Sequence, residues 1–207
     1  MKVVERTILQ FQEKDFFVPI RDKASFARLV VCAARQLLLE NQGETITSIS
    51  KMRLVVDKMS RLFFYRGNKY FSVAFPFTVV NDGGEVAKIT TYSGKILDFG
   101  NISAVISILD SDYFIRHPSL IDFPIEPKSI EELGIYFLEE IMQFEPSYIR
   151  YDNDESNQNG RLHPLNHLDI NYSQYGTYKL GLRNGINVEY FEDLQNTNTD
   201  CSFVVDR

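Results

Sequence analysis

Two of the three histidines in this chain lie four residues apart, in a run that also carries a carboxylate. The run contains His163, His167 and Asp169, and Pro164 directly follows the first histidine. Imidazole gains and loses a proton near neutral pH and also binds metal ions, so this run could carry acid–base chemistry or a metal. A spacing of four would place both histidines on one helical face. Pro164 argues against a helix, because it biases His163 toward an extended backbone.

The residues around this run predict a β-hairpin. From Asn166 onward apolar and polar residues alternate with period two, which is typical of a half-buried strand. A turn signal follows at 174–176, and a second alternating strand begins at Thr177. A three-residue loop with Gly176 in the left-handed conformation would pair Ser173 with Thr177. This register places every apolar side chain on one face, whereas a shift by one residue would expose one strand's apolar set to water.

The opposite face of the predicted hairpin collects polar and ionisable side chains. The expected facing pairs are Asn171 with Lys179, Asp169 with Gly181, and His167 with Arg183. Because glycine has no side chain, Gly181 would leave an open place in the middle of this face. An upstream strand places Arg150 and Asp152 on one side, and a polar loop (153–160) separates that strand from the histidines.

The first interpretation of this face is metal-independent cleavage of a phosphodiester bond. One histidine would act as general base on a ribose hydroxyl, and the other as general acid on the leaving oxygen. The residues assigned to the reaction are His163 and His167 as base and acid, Asp169 or Asp152 as orienting carboxylates, and Arg150, Lys179 and Arg183 as phosphate ligands. Asn171 would support the site, and Tyr175 at the hairpin tip would stack on a base. This chemistry needs no cofactor.

Other interpretations of the same residues stay open. His163 and His167 could bind a metal ion together with Asp169 or Asp152, although nearby cations would oppose a divalent ion. They could instead be structural, with their rings bonded to backbone carbonyls in a turn. Non-catalytic recognition of a nucleotide or a peptide is a further alternative. The third histidine, His117, is interpreted as a loop residue.

The residues 150–152, 163–164 and 167–168 carry a resemblance to known proteins. They read Arg-Tyr-Asp, His-Pro and His-Leu, a pattern that resembles an uncharacterised bacterial family known as a domain of unknown function. The run Arg-Tyr-Asp-Asn at 150–153 is also similar, more loosely, to short His-rich toxins of toxin–antitoxin pairs. The first resemblance implies the location of a site. The second implies RNA cleavage as an activity and an antitoxin or defence-complex subunit as a partner.

Length and composition are typical of a single domain. The chain has 207 residues, of which 44% are hydrophobic, and this is enough for a sizeable core. We predict one domain over residues 1–207, with a loosely attached tail from 191 to 207. The N-terminus lacks the apolar segment of a signal peptide, and Cys32 and Cys201 are too far apart in the sequence for a zinc site or a disulfide scaffold. These features favour a cytoplasmic protein that does not enter a membrane.

The remaining patterns predict an α+β fold. An apolar stripe at i, i+3 and i+4 predicts a helix over 24–40, and a second helix is predicted over 46–60. Hairpin turns such as the one at 67–68 then separate several strands, and a capping box at 129–132 begins a helix that continues to Phe144. We expect a mainly antiparallel sheet of hairpins packed against three or four helices.

The charge distribution leaves two classes of function open. The net charge of −6 argues against a protein that binds duplex DNA mainly by charge. Basic residues concentrate in the first 70 positions and acidic residues in 121–158. The leading hypothesis is a bacterial enzyme of toxin or defence type that cleaves RNA or acts on a nucleotide. The alternative is a non-enzymatic subunit that docks on a protein partner through the acidic helix (129–144) or the basic N-terminal third.

Overall fold

The chain folds into two antiparallel sheets with helices packed against them, which confirms the predicted α+β class. The structure is a computed structural model, and it describes residues 2–39, 50–58, 60–82, 85–124 and 130–203. The strands in these ranges are β1 (Lys2–Ile8), β2 (Ser50–Val56), β3 (Arg61–Arg66), β4 (Lys69–Ala74), β5 (Thr78–Asp82), β6 (Glu85–Thr90), β7 (Ile96–Leu97), β8 (Ile149–Asn153), β9 (Asn166–Ile170) and β10 (Tyr178–Leu182). The α-helices are α1 (Glu13–Phe16), α2 (Lys23–Leu38), α3 (Phe99–Asp110), α4 (Asp112–Arg116), α5 (Ile130–Gln143) and α6 (Val188–Asp193).

The larger sheet places the histidine hairpin at one of its edges. Its strands follow the order β1-β2-β3-β4-β8-β9-β10, and neighbouring strands are antiparallel. The strand β8 pairs with β4 across a long stretch of chain that contains the smaller sheet, β5-β6-β7, and the helices α3 to α5. In the described part of the chain, β10 is therefore an edge strand, and β8 connects the hairpin to the rest of the sheet.

The helix α2 covers one face of the larger sheet and confirms the helix predicted at 24–40. Its first turn is capped by the Asp22 carboxylate, which accepts a hydrogen bond from the backbone N–H of Ser25 at 2.7 Å. Phe26 and Leu37 on its apolar stripe are buried in the larger core, which also contains Phe64 of β3. This packing makes α2 the central element of the larger core.

A smaller apolar core lies on the opposite face of the sheet, beneath α6. Successive side chains of a strand point to opposite faces, so Phe63 and Tyr65 of β3 face away from the larger core. They pack with Tyr151, Leu168 and Phe191, and Phe191 of α6 is fully buried. The apolar residues of the histidine hairpin therefore contribute to this smaller core.

The first residues of the predicted tail contact the sheet. The Glu192 carboxylate pairs with Arg53 at 3.1 Å, and the Gln195 side chain accepts a hydrogen bond from Arg61 at 2.7 Å. Farther along, Asn198 donates to Asp57 at 2.6 Å. The segment from 191 to 198 is thus connected to β2 and β3 by polar contacts as well as by the burial of α6.

The second predicted helix, 46–60, is wrong over the residues that the structure describes. Residues 50–56 form β2, which pairs with β1 on one side and β3 on the other, whereas 46–49 and 59 lie outside the described residues. Ser50, Met52 and Leu54 are fully buried, while Lys51 is exposed and Arg53 is partly exposed. This period-two burial is the pattern of a strand, and it prevails because both edges of β2 find partners.

The helix predicted from the capping box at 129–132 is observed as α5, which begins at Ile130. Ser129, the predicted capping residue, lies outside the described residues. None of the helices in the described ranges has both the length and the apolar character needed to cross a membrane.

Candidate functional site

Ionisable side chains from three neighbouring strands meet on one face of the larger sheet. They are Arg150 and Asp152 on β8, His167 and Asp169 on β9, and Lys179 on β10, and we call them the charged cluster. Directly opposite residues of antiparallel strands project to the same face. Arg150, Asp169 and Lys179 form one row across the strands, and Asp152, His167 and Gly181 form the next row.

The charged cluster lies on the sheet face that also bears the larger core. Arg150 is directly opposite Phe71 of β4, and Phe71 packs in that core. His167 and Asp169 are both fully buried. The side chains of Arg150 and Lys179 reach solvent, at 28% and 31% exposure. The polar face predicted from the sequence is therefore buried in the protein, except for the side chains of its two cations, which reach solvent.

Leu168, Ile170, Leu180 and Leu182 lie on the predicted apolar face of the hairpin. Tyr172, which the alternation puts on the same face, packs against the larger core instead.

The register also differs from the prediction, by two residues. The sequence places His167 opposite Arg183 and Asp169 opposite Gly181. The structure instead pairs His167 with Gly181 and Asp169 with Lys179. Arg183 lies beyond the end of β10 and is exposed. The predicted pairs are wrong, and the cation that meets the buried histidine and carboxylate is Lys179.

The connection between β9 and β10 causes this difference. Asn171 adopts the left-handed region with φ of 60°, and β9 ends one residue earlier, at Ile170. The Ser173 hydroxyl accepts hydrogen bonds from the backbone N–H groups of Tyr175 and Gly176, each at 3.0 Å. These bonds give the backbone N–H groups of the loop a partner within the loop itself. The chain therefore does not form the three-residue turn that the Gly176 signal predicts.

Asn171 and Tyr175 lie outside the charged cluster. Asn171 is exposed, and the predicted pair of Asn171 with Lys179 is wrong because Lys179 faces Asp169. Tyr175 is fully exposed in the loop between β9 and β10. The stacking role suggested for Tyr175 stays a prediction.

Asp169 is the centre of the charged cluster. Its carboxylate accepts hydrogen bonds from the Arg150 guanidinium, from the Lys179 ammonium at 2.8 Å and from the Thr177 hydroxyl at 2.7 Å. Burial raises the pKa of Asp169, but the hydrogen bonds from Lys179 and Thr177 and the charge of Arg150 outweigh it, so the pKa lies below its ordinary value. Asp169 is therefore a carboxylate anion that holds both cations of the cluster.

Arg150 joins the two carboxylates of the cluster. It donates a hydrogen bond to Asp169, and its Nε lies 2.8 Å from Oδ2 of Asp152 without the alignment of a hydrogen bond. The Asp152 side chain is 7% exposed, and its Oδ1 has no hydrogen-bond partner among the described residues. Two cations and two carboxylates thus balance in charge, but the buried Oδ1 of Asp152 has no hydrogen-bond donor among the described residues.

Hydrogen bonds define the tautomer of His167. Its Nδ1 lies 2.9 Å from the carbonyl oxygen of Pro164, which can only accept, so Nδ1 carries a proton. Its Nε2 lies 3.1 Å from the Lys179 Nζ, and an ammonium group can only donate, so Nε2 presents its lone pair to Lys179. This arrangement is that of a neutral imidazole whose accepting nitrogen meets a partly exposed cation.

His163 packs against His167 without joining the hydrogen bonds of the charged cluster. The two ring centroids are 4.7 Å apart, and the rings are inclined by 71°. The Nε2 atom of His163 is buried and has no hydrogen-bond partner in the described ranges. It lies 3.8 Å from Oδ2 of Asp154, a distance that suits an ion pair when His163 is protonated. The structure therefore brings the two histidines together through ring packing.

Pro164 occupies the place that Gly181 leaves open. A β-carbon on Gly181 would lie 2.9 Å from Cγ of the Pro164 ring, which is too close for the present arrangement. The open place predicted on the polar face of the hairpin is thus covered by the turn that carries the histidines. Because the Pro164 carbonyl also accepts from His167, this contact fixes the turn that orients the imidazole.

Gly181→Ala is expected to destabilise the protein by about 1–3 kcal/mol, because the added methyl group pushes Pro164 away from β10. In a strand with free space beside the glycine, replacing Gly by Ala would stabilise the protein by about 0.5–1 kcal/mol. Denaturant unfolding measures the difference. Pro164→Ala in the Gly181→Ala background should recover part of the loss, because it removes the ring atoms that clash. A Gly181→Ala protein at least as stable as the wild type would show that Pro164 does not pack there.

Two residues of the site were missed by the sequence analysis. Thr177 donates its hydroxyl hydrogen bond to Asp169, and the Tyr148 hydroxyl lies 3.4 Å from Arg150 as an acceptor. Burial raises the pKa of Tyr148 to about 12, so its hydroxyl stays protonated at neutral pH. The sequence does carry a signal for Thr177. It lies two positions before Lys179, so the period of two puts both side chains on the same face.

Two cavities in the described part of the protein lie away from the charged cluster. One of about 290 Å³ is lined by Arg53, Arg61 and Gln195, between the sheet and the C-terminal segment. The other, of about 500 Å³, lies beside the first turn of α2 and is lined by residues that include Asp22. Neither is lined by a residue of the cluster. The candidate site is therefore chosen for its converging ionisable groups and not for either of these cavities.

Comparison with known proteins identifies no relative for this fold and site. No family model, no curated protein and no solved structure matches the chain. The resemblance of 150–168 to a domain of unknown function, and the looser one to His-rich toxins, stay predictions. The geometry of the charged cluster is thus the basis on which a function can be proposed.

Proposed function

We propose that the charged cluster binds a phosphate group of RNA or of a nucleotide and cleaves a phosphodiester bond, as an enzyme of toxin or defence type. One contact supports this proposal above the others. The accepting Nε2 of the buried His167 lies 3.1 Å from the ammonium group of Lys179, which is partly exposed. A proton acceptor and a phosphate-binding cation are therefore adjacent, and the cation faces solvent.

The cations would receive the phosphate. Arg150 and Lys179 are the cluster residues whose side chains reach solvent, and both now donate to Asp169. A phosphate oxygen offers the same kind of acceptor as a carboxylate, so the exposed ammonium and guanidinium groups can bind it in place of Asp169. Arg183, the third cation suggested by the sequence, is left out of this site because the register separates it from His167.

His167 would act as the general base. When Lys179 turns toward a phosphate, the Nε2 lone pair of His167 becomes available to accept a proton from the ribose 2′-hydroxyl. The Pro164 carbonyl keeps the other nitrogen protonated throughout. The Asp169 Oδ2 lies 3.9 Å from Nε2, and its negative charge stabilises the imidazolium that forms.

His163 would act as the general acid. The ring contact of 4.7 Å leaves no room for a phosphate between the two histidines, so the phosphate binds on the outer side, near Lys179. The uncommitted Nε2 of His163 is the group that would protonate the leaving oxygen, after the ring turns toward the phosphate.

Purified protein is expected to cleave mixed-sequence single-stranded RNA in the presence of EDTA, and to leave 2′,3′-cyclic phosphate ends. His167→Gln is expected to slow this cleavage by about 10²–10⁴-fold, because the ring that accepts the proton is lost. The same RNA with 2′-O-methyl riboses should resist, because it lacks the attacking hydroxyl. Gel analysis of end-labelled RNA measures all three.

His117→Gln is the matched control for this experiment. His117 follows α4 and packs against Tyr113, so its loss should leave the cleavage rate unchanged. Equal rates for His167→Gln and the wild type would contradict the proposal. If the wild type is inactive, is harmless when expressed in bacteria and co-purifies with a protein encoded next to it, the non-enzymatic subunit is supported instead.

A further inference from the structure

Three side chains of the charged cluster have the chemistry of a metal site. A carboxylate oxygen from Asp152, another from Asp169 and a ring nitrogen of His167 all lie within 4.8 Å of one another. The three side chains are 7%, 0% and 1% exposed, respectively. One imidazole with two carboxylates is a donor set that suits Mn²⁺ and Zn²⁺.

The orientation of His167 is that of a metal ligand. Imidazoles that bind metals through one nitrogen commonly donate the other N–H to a backbone carbonyl or a carboxylate, which fixes the ring and its tautomer. In this chain Nδ1–H donates to the Pro164 carbonyl, so the lone pair of Nε2 points into the charged cluster. The ring thus needs no change of tautomer to bind a cation.

A cation already contacts two of these three ligands. The Lys179 ammonium lies 2.8 Å from Oδ1 of Asp169 and 3.1 Å from Nε2 of His167. Lysine reaches this place from an edge strand on a flexible chain, and its side chain is 31% exposed, so it can withdraw into solvent. Asp169 would keep its hydrogen bonds from Arg150 and Thr177 after Lys179 leaves.

The unused oxygen of Asp152 is an independent observation that indicates a ligand. Oδ1 of Asp152 is buried and finds no hydrogen-bond partner among the described residues. A buried carboxylate oxygen without a partner is costly, because it has lost its hydration. A metal ion bound by Asp152, together with His167 and Asp169, would supply what this carboxylate lacks.

We propose that Asp152, His167 and Asp169 bind a divalent transition-metal ion, Mn²⁺ or Zn²⁺, which takes the place of the Lys179 ammonium. The site differs from the one that the sequence suggests, because His163 is not a ligand. The inference does not rest on the proposed RNA cleavage. The metal site does limit the proposed cleavage. A metal ion on Nε2 of His167 would use the lone pair that the general base needs, so the metal-bound protein would not cleave RNA through His167.

Binding of Mn²⁺ alone and Zn²⁺ alone tests this site, by electron paramagnetic resonance of free Mn²⁺ and by calorimetry for Zn²⁺. Lys179→Met is expected to bind both ions at least about tenfold more tightly than the wild type, because it removes the competing ammonium. Asp152→Asn is expected to bind them at least about tenfold more weakly. Added Mn²⁺ should also raise the melting temperature of Lys179→Met more than that of Asp152→Asn, which reports binding to the folded state.

Asp154→Asn is the matched control, because Asp154 lies near His163 and outside the three ligands. Its affinity for both ions should equal that of the wild type. Lys179→Met binding no more tightly than the wild type, or Asp152→Asn binding as tightly, would overturn the metal site. If cleavage fails in every buffer while the variants bind metal in the expected order, the metal site stands and the proposed cleavage does not. Cleavage that persists in EDTA and falls as Mn²⁺ is added supports both.

Discussion

Phe191→Ala is expected to lower the free energy of unfolding by about 3–5 kcal/mol, because it truncates a large, fully buried side chain. Phe191 is fully buried, and its ring packs edge-on against Phe63 at 6.2 Å and lies 5.9 Å from Tyr70. Its removal leaves a cavity under α6, which cannot collapse because β3 and β4 hold the facing rings. Urea unfolding of the full chain measures the loss.

Phe203→Ala is the control for the same chemical change farther along the C-terminal segment. Phe203 is 87% exposed, so its truncation should change the unfolding free energy by less than about 0.5 kcal/mol. A small loss for Phe191→Ala would show that α6 does not pack on the sheet as described. The smaller core, to which the histidine hairpin contributes Leu168, would then not be covered by α6.

Asp169→Asn is expected to destabilise the protein by about 3 kcal/mol, although the two side chains have nearly the same shape. The buried carboxylate accepts from Arg150, Lys179 and Thr177, and an amide offers one oxygen and no charge. The two cations would then lack their common counter-ion. Their partial exposure keeps the cost near the lower end of the range for broken buried pairs. Chemical denaturation followed by circular dichroism measures it.

Asp110→Asn provides the comparison at a surface ion pair. Asp110 pairs with Arg28, but its side chain is 58% exposed, so the loss should be below about 1 kcal/mol. Similar losses for Asp169→Asn and Asp110→Asn would mean that the charged cluster behaves as an ordinary solvated surface.

The sequence predicts the faces of β9 and β10 well, because period-two alternation is a local property, but it misplaces Tyr172, which follows the left-handed Asn171. Leu168 and Leu180 are on the face opposite His167 and Lys179, as the alternation requires. The register depends on how the connecting loop closes. The left-handed Asn171 and the internal bonds of Ser173 decide that, and neither leaves a clear signal in the pattern of apolar residues.

The burial of the polar face could not be predicted from the hairpin alone. It follows from the pairing of β8 with β4, which sets Arg150 beside Phe71, and from the turn that places Pro164 over Gly181. Both contacts join residues that are distant in sequence or depend on the exact register. The same limit explains β2: the alternation at Ser50, Met52 and Leu54 is present, but the partners on both sides make it a strand.

Replacement of Lys179 is expected to change the affinities for two ligands, RNA and a metal ion, in opposite directions. As the proposed phosphate ligand, Lys179 would strengthen the binding of an anion, so its replacement should weaken RNA binding. As an ammonium beside Asp169 and His167, it competes with a metal ion, so the same replacement should strengthen metal binding. A residue that only stabilised the fold would change both in the same direction.

The binding of uncleavable RNA to this cation tests most directly whether the charged cluster receives a phosphate group. Fluorescence anisotropy in EDTA would compare the wild type, Lys179→Met and Arg183→Met on mixed-sequence single-stranded RNA with 2′-O-methyl riboses. We predict that Lys179→Met weakens binding by about tenfold or more, whereas Arg183→Met, on an exposed residue beyond β10, leaves it unchanged. Equal affinities for the wild type and Lys179→Met would contradict the account.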